Sequence, residues 1–405
     1  MNPSVNPHKQ PIRLGVLGLG RAFTLMIPTL SKDPRVALAA CFDPNAGATA
    51  AFAKAFGGVA HTSAEALCAD PNVEWIYVAT PHQLHEEHVR LAASQGKHVL
   101  VEKPMALSLA ACARMQAACE QAGTQMIVGH SHSFNAPVSH AKALIESGQW
   151  GRVCMIHAMN FTDFLYRPRR PEELDTAKGG GVVFSQAAHQ VDIVRLLAGG
   201  DVSSVYARTG SWDPTRPTEG AYTAILNFRS GAFANVTYNG YGFFDSDPWM
   251  AGIGEMGWPK DVNTHRLTRE KHLATKDEAA EARRKANRNF GGQDYVPDVR
   301  PSPAAFQHFG PVIVSCEHAD LRLTPYGVEI HDTHGVCLEA PQRGPVPRFE
   351  VVDELWSVAR DGTPPVHSGA WSAATMEVCL AILESGKKRE AIILEHQVPV
   401  PPLRL

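Results

Sequence analysis

The chain has 405 residues, 44% hydrophobic and 20% charged; that size predicts two or three domains, and that balance excludes wholesale disorder. Its 38 basic and 41 acidic side chains give a net charge of −3, which leaves no electrostatic footprint for nucleic acid or an anionic membrane. No apolar run approaches the roughly 18 residues that a membrane-spanning helix needs.

Residues 1–10 read as a polar lead-in without the apolar core of a signal peptide. Short apolar runs of strand length follow at 12–20, 36–43, 75–80, 98–103 and 126–131. Helical stretches lie between them at 21–31, 46–56, 63–69, 83–96 and 107–122. Strands spaced by helices of this size predict βαβ units, hence a doubly wound parallel sheet with helices on both faces. Continuous apolar strands suit such a sheet, because both of its sides are buried.

The texture changes after about residue 133, so a first domain is expected over 1–133 and a second over 134–405. A helix fits 138–147 and another 189–200. Strands at 153–161, 202–211, 220–229 and 232–240 alternate more, as in an open, mostly antiparallel sheet with one covered face. Residues 245–311 read as a polar, Pro- and Gly-rich insertion with one charged helix near 276–288, either a mobile excursion or a partner-facing arm. A strand pair fits 320–338, and helices fit 348–360 and 371–385. The 8 cysteines form no CxxC, which predicts free thiols in a reducing, cytoplasmic setting.

GLGRAF (18–23) follows the first strand and opens a helix. Glycines there let backbone N–H groups approach a pyrophosphate at a helix N-terminus. Gly18, Gly20 and Arg21 are therefore cofactor candidates, although Phe23 stands where a third small residue is usual. The second strand ends in Asp43, whose carboxylate suits an adenosine ribose and repels a 2′-phosphate. No Arg or Lys follows in DPNAG (43–47), so NAD is expected over NADP.

ATPHQLHEEHVRLAASQGKHVLVEKPMAL (79–107), GGGVVFSQAAHQVDIVRLLAG (179–199) and the C-terminal stretch 348–390, together with the GLGR turn, resemble the Gfo/Idh/MocA oxidoreductases. The resemblance implies a Rossmann domain followed by an α/β domain with a large open sheet. One face of that sheet would pack on another subunit, in a homodimer or homotetramer. It implies that Thr80, Pro81, His82, His85 and Glu102 line the cofactor. Lys103 would reach both the nicotinamide and the reacting oxygen, with a special, cis-type peptide before Pro104. It also implies that His189 is catalytic. Where many relatives carry Asp four residues earlier, this chain has Ser185, which removes a charge that binds polyols and eases binding of an anion.

HQLHEEH spaces His82, His85 and His88 three apart, which would strain a tetrahedral metal site, so no metal is expected. His130 and His132 close the fifth strand, where open parallel sheets form ligand crevices. The loop at 161–175 carries Tyr166, Arg167, Arg169 and Arg170, and guanidinium groups grip carboxylates in bidentate fashion. That loop and residues 308–332 are similar to the phthalate 4,5-cis-dihydrodiol dehydrogenase branch. The implied reaction is NAD-dependent oxidation of a small, anionic cyclic cis-diol bearing two carboxylates, phthalate 4,5-cis-dihydrodiol, to 4,5-dihydroxyphthalate, with Lys103 or His189 as base. A sugar or cyclitol dehydrogenase, a redox-neutral glycoside-cleaving enzyme and a non-catalytic NAD-binding sensor stand as alternatives.

Overall fold

The structure, a computed structural model, describes residues 10–129, 132–275 and 277–400. Most of the polar lead-in, and His130, lie outside them. The first sheet has six parallel strands in the order β3-β2-β1-β4-β5-β6. They are β1 (Ile12–Leu17), β2 (Val36–Phe42), β3 (Val59–Ala60), β4 (Trp75–Val78), β5 (His98–Glu102) and β6 (Met126–Gly129). The connecting helices are α1 (Arg21–Leu30), α2 (Ala46–Phe56), α3 (Ala64–Cys68), α4 (His85–Ser94) and α5 (Leu109–Ala122). Strand order reverses between β1 and β4, and the crevice beyond their carboxyl ends is where doubly wound sheets bind ligands.

After α6 (Ala136–Glu146) the second sheet begins. Its strands are β7 (Val153–Phe161), β8 (Val202–Gly210), β9 (Ala221–Phe228), β10 (Phe233–Asn239), β11 (Val312–Cys316), β12 (Asp320–Thr324), β13 (Gly327–Asp332), β14 (Gly335–Glu339) and β15 (Ile392–Ile393). They run in the order β14-β13-β12-β11-β7-β10-β9-β8-β15, antiparallel except for β7 beside β10. Helices α6, α7 (Ala188–Ala198) and α11 (Gly369–Lys388) contribute buried side chains to the core on one side of this sheet. Burial in β9 alternates accordingly, and Ile225 on its outer face is 45% exposed. The architecture is the expected one: α/β, with a parallel Rossmann sheet and a large, mostly antiparallel second sheet.

The insertion folds onto its own chain. It holds two helices, α8 (Thr264–Leu273) and α9 (Glu278–Asn287), where the sequence predicts one. Glu281 of α9 pairs with both terminal nitrogens of buried Arg216 at 2.8 and 3.1 Å and accepts the Arg169 N–H at 2.7 Å. Past α9, Phe290 joins the core of the first sheet, 5.5 Å from Phe23 and 5.7 Å from Phe56. Phe23 is thus a core residue, and the position that is usually small here anchors the insertion. α10 (Phe349–Trp356) packs into the same core through Val351, Val352 and Leu355. Two stretches expected to serve the second domain therefore complete the first core.

Candidate active site

The crevice begins at Gly18, whose φ of +91° and 2.9 Å approach to the Ala79 carbonyl leave no room for a side chain. Gly20 caps α1 with no side-chain bond, and a Cβ there would meet nothing within 4 Å. The start of α1 thus lacks a side-chain cap and has space beside Gly20, which suits a pyrophosphate at a helix N-terminus. Asp43 anchors the turn, accepting from Leu19 N at 2.7 Å and Asn45 N at 2.8 Å. Arg21 opens the helix and keeps surface access. Its pKa is lowered by burial of part of the group and then by Arg288, Arg167 and Arg348, which converge on it.

Thr80 and half-buried Pro81 follow β4. Thr80 Oγ1 hydrogen-bonds His88 Nδ1 at 3.0 Å. His82 is half-buried and stays neutral, its pKa pushed down to about 3 by burial and then by His85 and Lys103. His85 departs from expectation. It is fully buried, with Nδ1 at 2.9 Å from the Pro104 carbonyl and Nε2 at 3.0 Å from the Thr80 carbonyl. A neutral imidazole carries one N–H, so it donates to one of these carbonyls and packs against the other; the ring sits between two crevice loops and supports them without lining the cofactor. Glu102 Oε1 accepts the Tyr77 hydroxyl at 2.5 Å.

Lys103 follows β5, and the Lys103–Pro104 peptide is cis. Its Nζ donates to the Ser185 carbonyl at 2.8 Å. Burial lowers its pKa, opposed by Glu102 and Glu255 and reinforced by Arg169 and Arg348. Ser185 sits in a widened helical turn, Val183–Ala187, that leads into α7. The glycines before it are obligatory: a Cβ on Gly181, at φ +83°, would lie 2.0 Å from Glu219 Oε1. His189 is four residues beyond Ser185 in the first turn of α7 and 5% exposed. This brings His189 to the turn that Lys103 touches. Asp192 on the same helix is structural, accepting from Trp371 Nε1 and Thr375 Oγ1 at 2.7 Å each.

The loop at 161–175 separates its candidates. Arg167 Nε donates to Asp163 at 2.8 Å, and its side chain stays 40% exposed. Among the described residues its terminal nitrogens make no hydrogen bond. Despite burial, Arg167 holds the Asp163 carboxyl down at about 2. Arg169 is consumed internally: Nε and Nη2 donate to the Phe164 carbonyl at 3.1 and 2.6 Å, and the guanidinium lies over the Phe164 ring. Arg170 turns toward Glu172 and Glu173. The Tyr166 hydroxyl donates to Asp213 at 2.7 Å, in a cavity of about 510 Å³ that neither Lys103 nor His189 lines. Tyr166 and Arg169 thus spend their polar groups on the protein itself, and Arg170 leans on Glu172 and Glu173 through Nε.

His132 is joined by two residues without a sequence motif, Phe309 and Glu255. His132, considered beside His130, is 2% exposed and lies 4.7 Å from the His189 ring, edge to face. Phe309 lies 5.0 Å from both rings. Glu255, from the insertion, accepts from His132 Nε2 at 2.9 Å. Its carboxyl is held well below its ordinary range: against burial, His132 and then Arg167 and His308 stabilise the charge.

Residues 12–130 match the oxidoreductase family with an NAD-binding Rossmann fold, and residues 138–258 match the GFO/IDH/MocA C-terminal domain. A 1-carboxy-3-chloro-3,4-dihydroxycyclohexa-1,5-diene dehydrogenase of Comamonas testosteroni is 45% identical over 377 residues, 93% of this chain and 95% of that protein. A crystal structure from Bordetella bronchiseptica RB50, described as a dehydrogenase, superposes with a TM-score of 0.90 at 38% identity, covering 95% of this chain and all of that one. The WlbA dehydrogenase of Bordetella pertussis, in complex with NADH and UDP-GlcNAcA, shares the fold at a TM-score of 0.66 and 22% identity, over 95% of this chain and 99% of its own. With both halves matched, the chain belongs to the Gfo/Idh/MocA family of oxidoreductases, and its parallel sheet is the nicotinamide-cofactor domain of that family.

Proposed function

We propose that the protein is an NAD-dependent dehydrogenase of a cyclohexadiene cis-diol that bears one ring carboxylate. The observation that carries this reading is Arg167, a guanidinium with open terminal nitrogens whose charge is felt in the Lys103–Glu255 cleft. The Comamonas relative, named for a carboxylated dihydroxycyclohexadiene, supports it. The terminal nitrogens of Arg167 can grip one carboxylate, and Glu255 would repel a second one placed beside it. The dicarboxylated dihydrodiol of phthalate therefore yields to a monocarboxylated one. Asp43, with no cation in 43–47, favours NAD over its 2′-phosphate.

A bound nicotinamide supplies the hydride acceptor. Lys103 holds the carbinol oxygen and, with its pKa lowered by burial, accepts the alcohol proton as the C–H hydride departs. His189, one helical turn beyond the Ser185 carbonyl that Lys103 holds, passes that proton onward. The ketone formed then tautomerises to an aromatic catechol carboxylate. Arg167 fixes the ring by its carboxylate, so that the reacting carbon meets the nicotinamide in one orientation.

The outer face of the second sheet carries half-exposed Tyr206, Ile225, Phe233 and Ile313, and we assign it to a second copy of the chain. Among the described residues no helix is long and apolar enough to cross a membrane. The free cysteines, of which Cys41, Cys68, Cys112, Cys119 and Cys379 are buried, fit a reducing compartment.

The test is NAD⁺ reduction with a monocarboxylated cis-dihydrodiol, phthalate cis-dihydrodiol, an uncharged cis-dihydrodiol and inositol. Turnover greatest with the monocarboxylated diol is expected. Equal or better turnover of inositol overturns the reading, and preference for the phthalate diol restores the two-carboxylate form.

A further inference from the structure

We propose that Glu255, supplied by the insertion, is a positioning residue that acts through His132 to orient and electrostatically support His189. The inference rests on the alcohol-oxidising reading of the Lys103–His189 cleft.

Hydrogen bonding defines the tautomer. Asn135 Nδ2 donates to His132 Nδ1 at 3.2 Å, so Nδ1 is the acceptor and the ring proton sits on Nε2. That Nε2–H points at Glu255 Oε1, 2.9 Å away. His132 is thereby locked between an amide and a carboxylate, with its ring set edge to face against His189 at 4.7 Å. Phe309 closes the third side of the ring cluster and allows neither imidazole to swing away. A ligand-ordering carboxylate behind a histidine is a familiar way to fix a ring and stabilise charge that develops beyond it.

The Glu255 side chain is not needed to build its own turn. Gly254 N bonds the Trp258 carbonyl at 2.7 Å, Gly257 N bonds the Gly254 carbonyl at 2.8 Å, and the Glu255 carbonyl takes the His308 N–H at 3.2 Å. The backbone is held on both sides, while the carboxylate reaches out, 32% exposed, toward the cleft. Ser185 contributes no charge beside Lys103; Glu102 and Glu255 are the carboxylates felt there, and Glu102 already holds Tyr77. The insertion thus returns a carboxylate to a site whose Val183–Ala187 turn lacks one. The charged and titratable groups facing His132 are Glu255, Arg348, His308 and His189. Those facing Glu255 include His132, Arg167 and His308.

The experiment compares Glu255→Gln, Glu255→Asp, His132→Gln and the Glu255→Gln/His132→Gln double variant with the full-length enzyme. The readouts are kcat and KM for the carboxylated diol against pH, NADH binding, and the imidazole NMR signals of the NADH-bound protein. Glu255→Gln is expected to lower kcat on the order of 10-fold or more with NADH affinity unchanged. It should move the acid limb of kcat/KM to lower pH, because a carboxylate that favours a protonated imidazole is gone. Glu255→Asp should recover part of the rate. The double variant should be no slower than the slower single, since both act through one ring. The His132 signals should shift in Glu255→Gln even without substrate. Unchanged kcat, losses that multiply in the double variant, or a rate loss that tracks lost NADH binding overturns the inference and leaves the dehydrogenase reading intact. A wild-type enzyme inactive on every diol overturns both.

Discussion

Lys103 Nζ donates a 2.8 Å hydrogen bond to the backbone carbonyl of Ser185, one helical turn before His189. The bond joins the end of β5 to the start of α7 and so couples the two sheets at the cleft. Lys103→Met removes the donor and the proton acceptor together. We expect kcat to fall by on the order of 100-fold or more, with NADH binding close to wild type. Because burial lowers the Lys103 pKa, the wild-type rate should rise with pH and level off below the ordinary lysine value of about 10.4. A pH–rate profile of the two proteins checks both statements.

Arg167 and Asp163 form a pair that one substitution can test without stranding a charge. Arg167→Lys keeps a cation near the Asp163 carboxylate but loses the planar fork. For the carboxylated diol, kcat/KM should fall roughly 10-fold or more, about the worth of one charge-assisted hydrogen bond. An uncharged diol should be nearly unaffected. Arg170→Gln, which alters only the contacts with Glu172 and Glu173, should leave both substrates as they were. Steady-state kinetics on the two diols decide.

Phe290 ties the insertion to the Rossmann core. It is 6% exposed, packs on Phe23, Phe56 and Tyr295, and its N–H donates to Thr24 Oγ1 at 2.9 Å. Phe290→Ala should cost about 3 kcal/mol of stability, the usual consequence of a cavity in an aromatic core. Denaturant unfolding measures it. An insertion that merely rested on the surface would give a change below about 0.5 kcal/mol.

His367 links α7 to the C-terminal helices. Its Nδ1 lies 2.8 Å from Glu354, and its Nε2 lies 3.7 Å from buried Asp192. Against burial, these carboxylates raise its pKa, Glu354 first. A raised histidine pKa stabilises the fold fully below the unfolded value of about 6.5, and the contribution is lost as pH climbs through the folded value. His367→Gln should therefore destabilise more at about pH 6 than at about pH 9. Unfolding free energies of the two proteins across that range test the sign.

The first sheet was legible in detail because buried parallel strands are continuous apolar runs separated by helices with clear stops. Asn45 and Ser108 cap α2 and α5, and Gly57 and Gly123 end them in the left-handed region. The insertion was only partly legible: the charged helix expected near 276–288 is α9. Its polarity hid α8, and its most buried anchoring aromatic in that core, Phe290, reads as an ordinary loop residue until it meets Phe23. The arginine loop shows the same limit: sequence places Arg167, Arg169 and Arg170 side by side, but a turn sends each guanidinium to a different partner.

Resemblance to a known family implied the Lys103–Pro104 junction, whereas the sequence by itself determined the two-sheet architecture and the glycine turn that opens α1. These follow from local signals: apolar period, glycine where φ is positive, and short motifs of fixed spacing. Only the tertiary structure decided that His85 sits between two loops, that Arg169 is spent on the Phe164 carbonyl while Arg167 leans on Asp163 through Nε alone, and that Glu255 reaches His132. Those outcomes depend on contacts between residues far apart in the chain, 123 positions for Glu255 and His132. Which hydrogen-bond partner a buried polar group finds is set by the packing of whole elements and leaves no trace in local pattern.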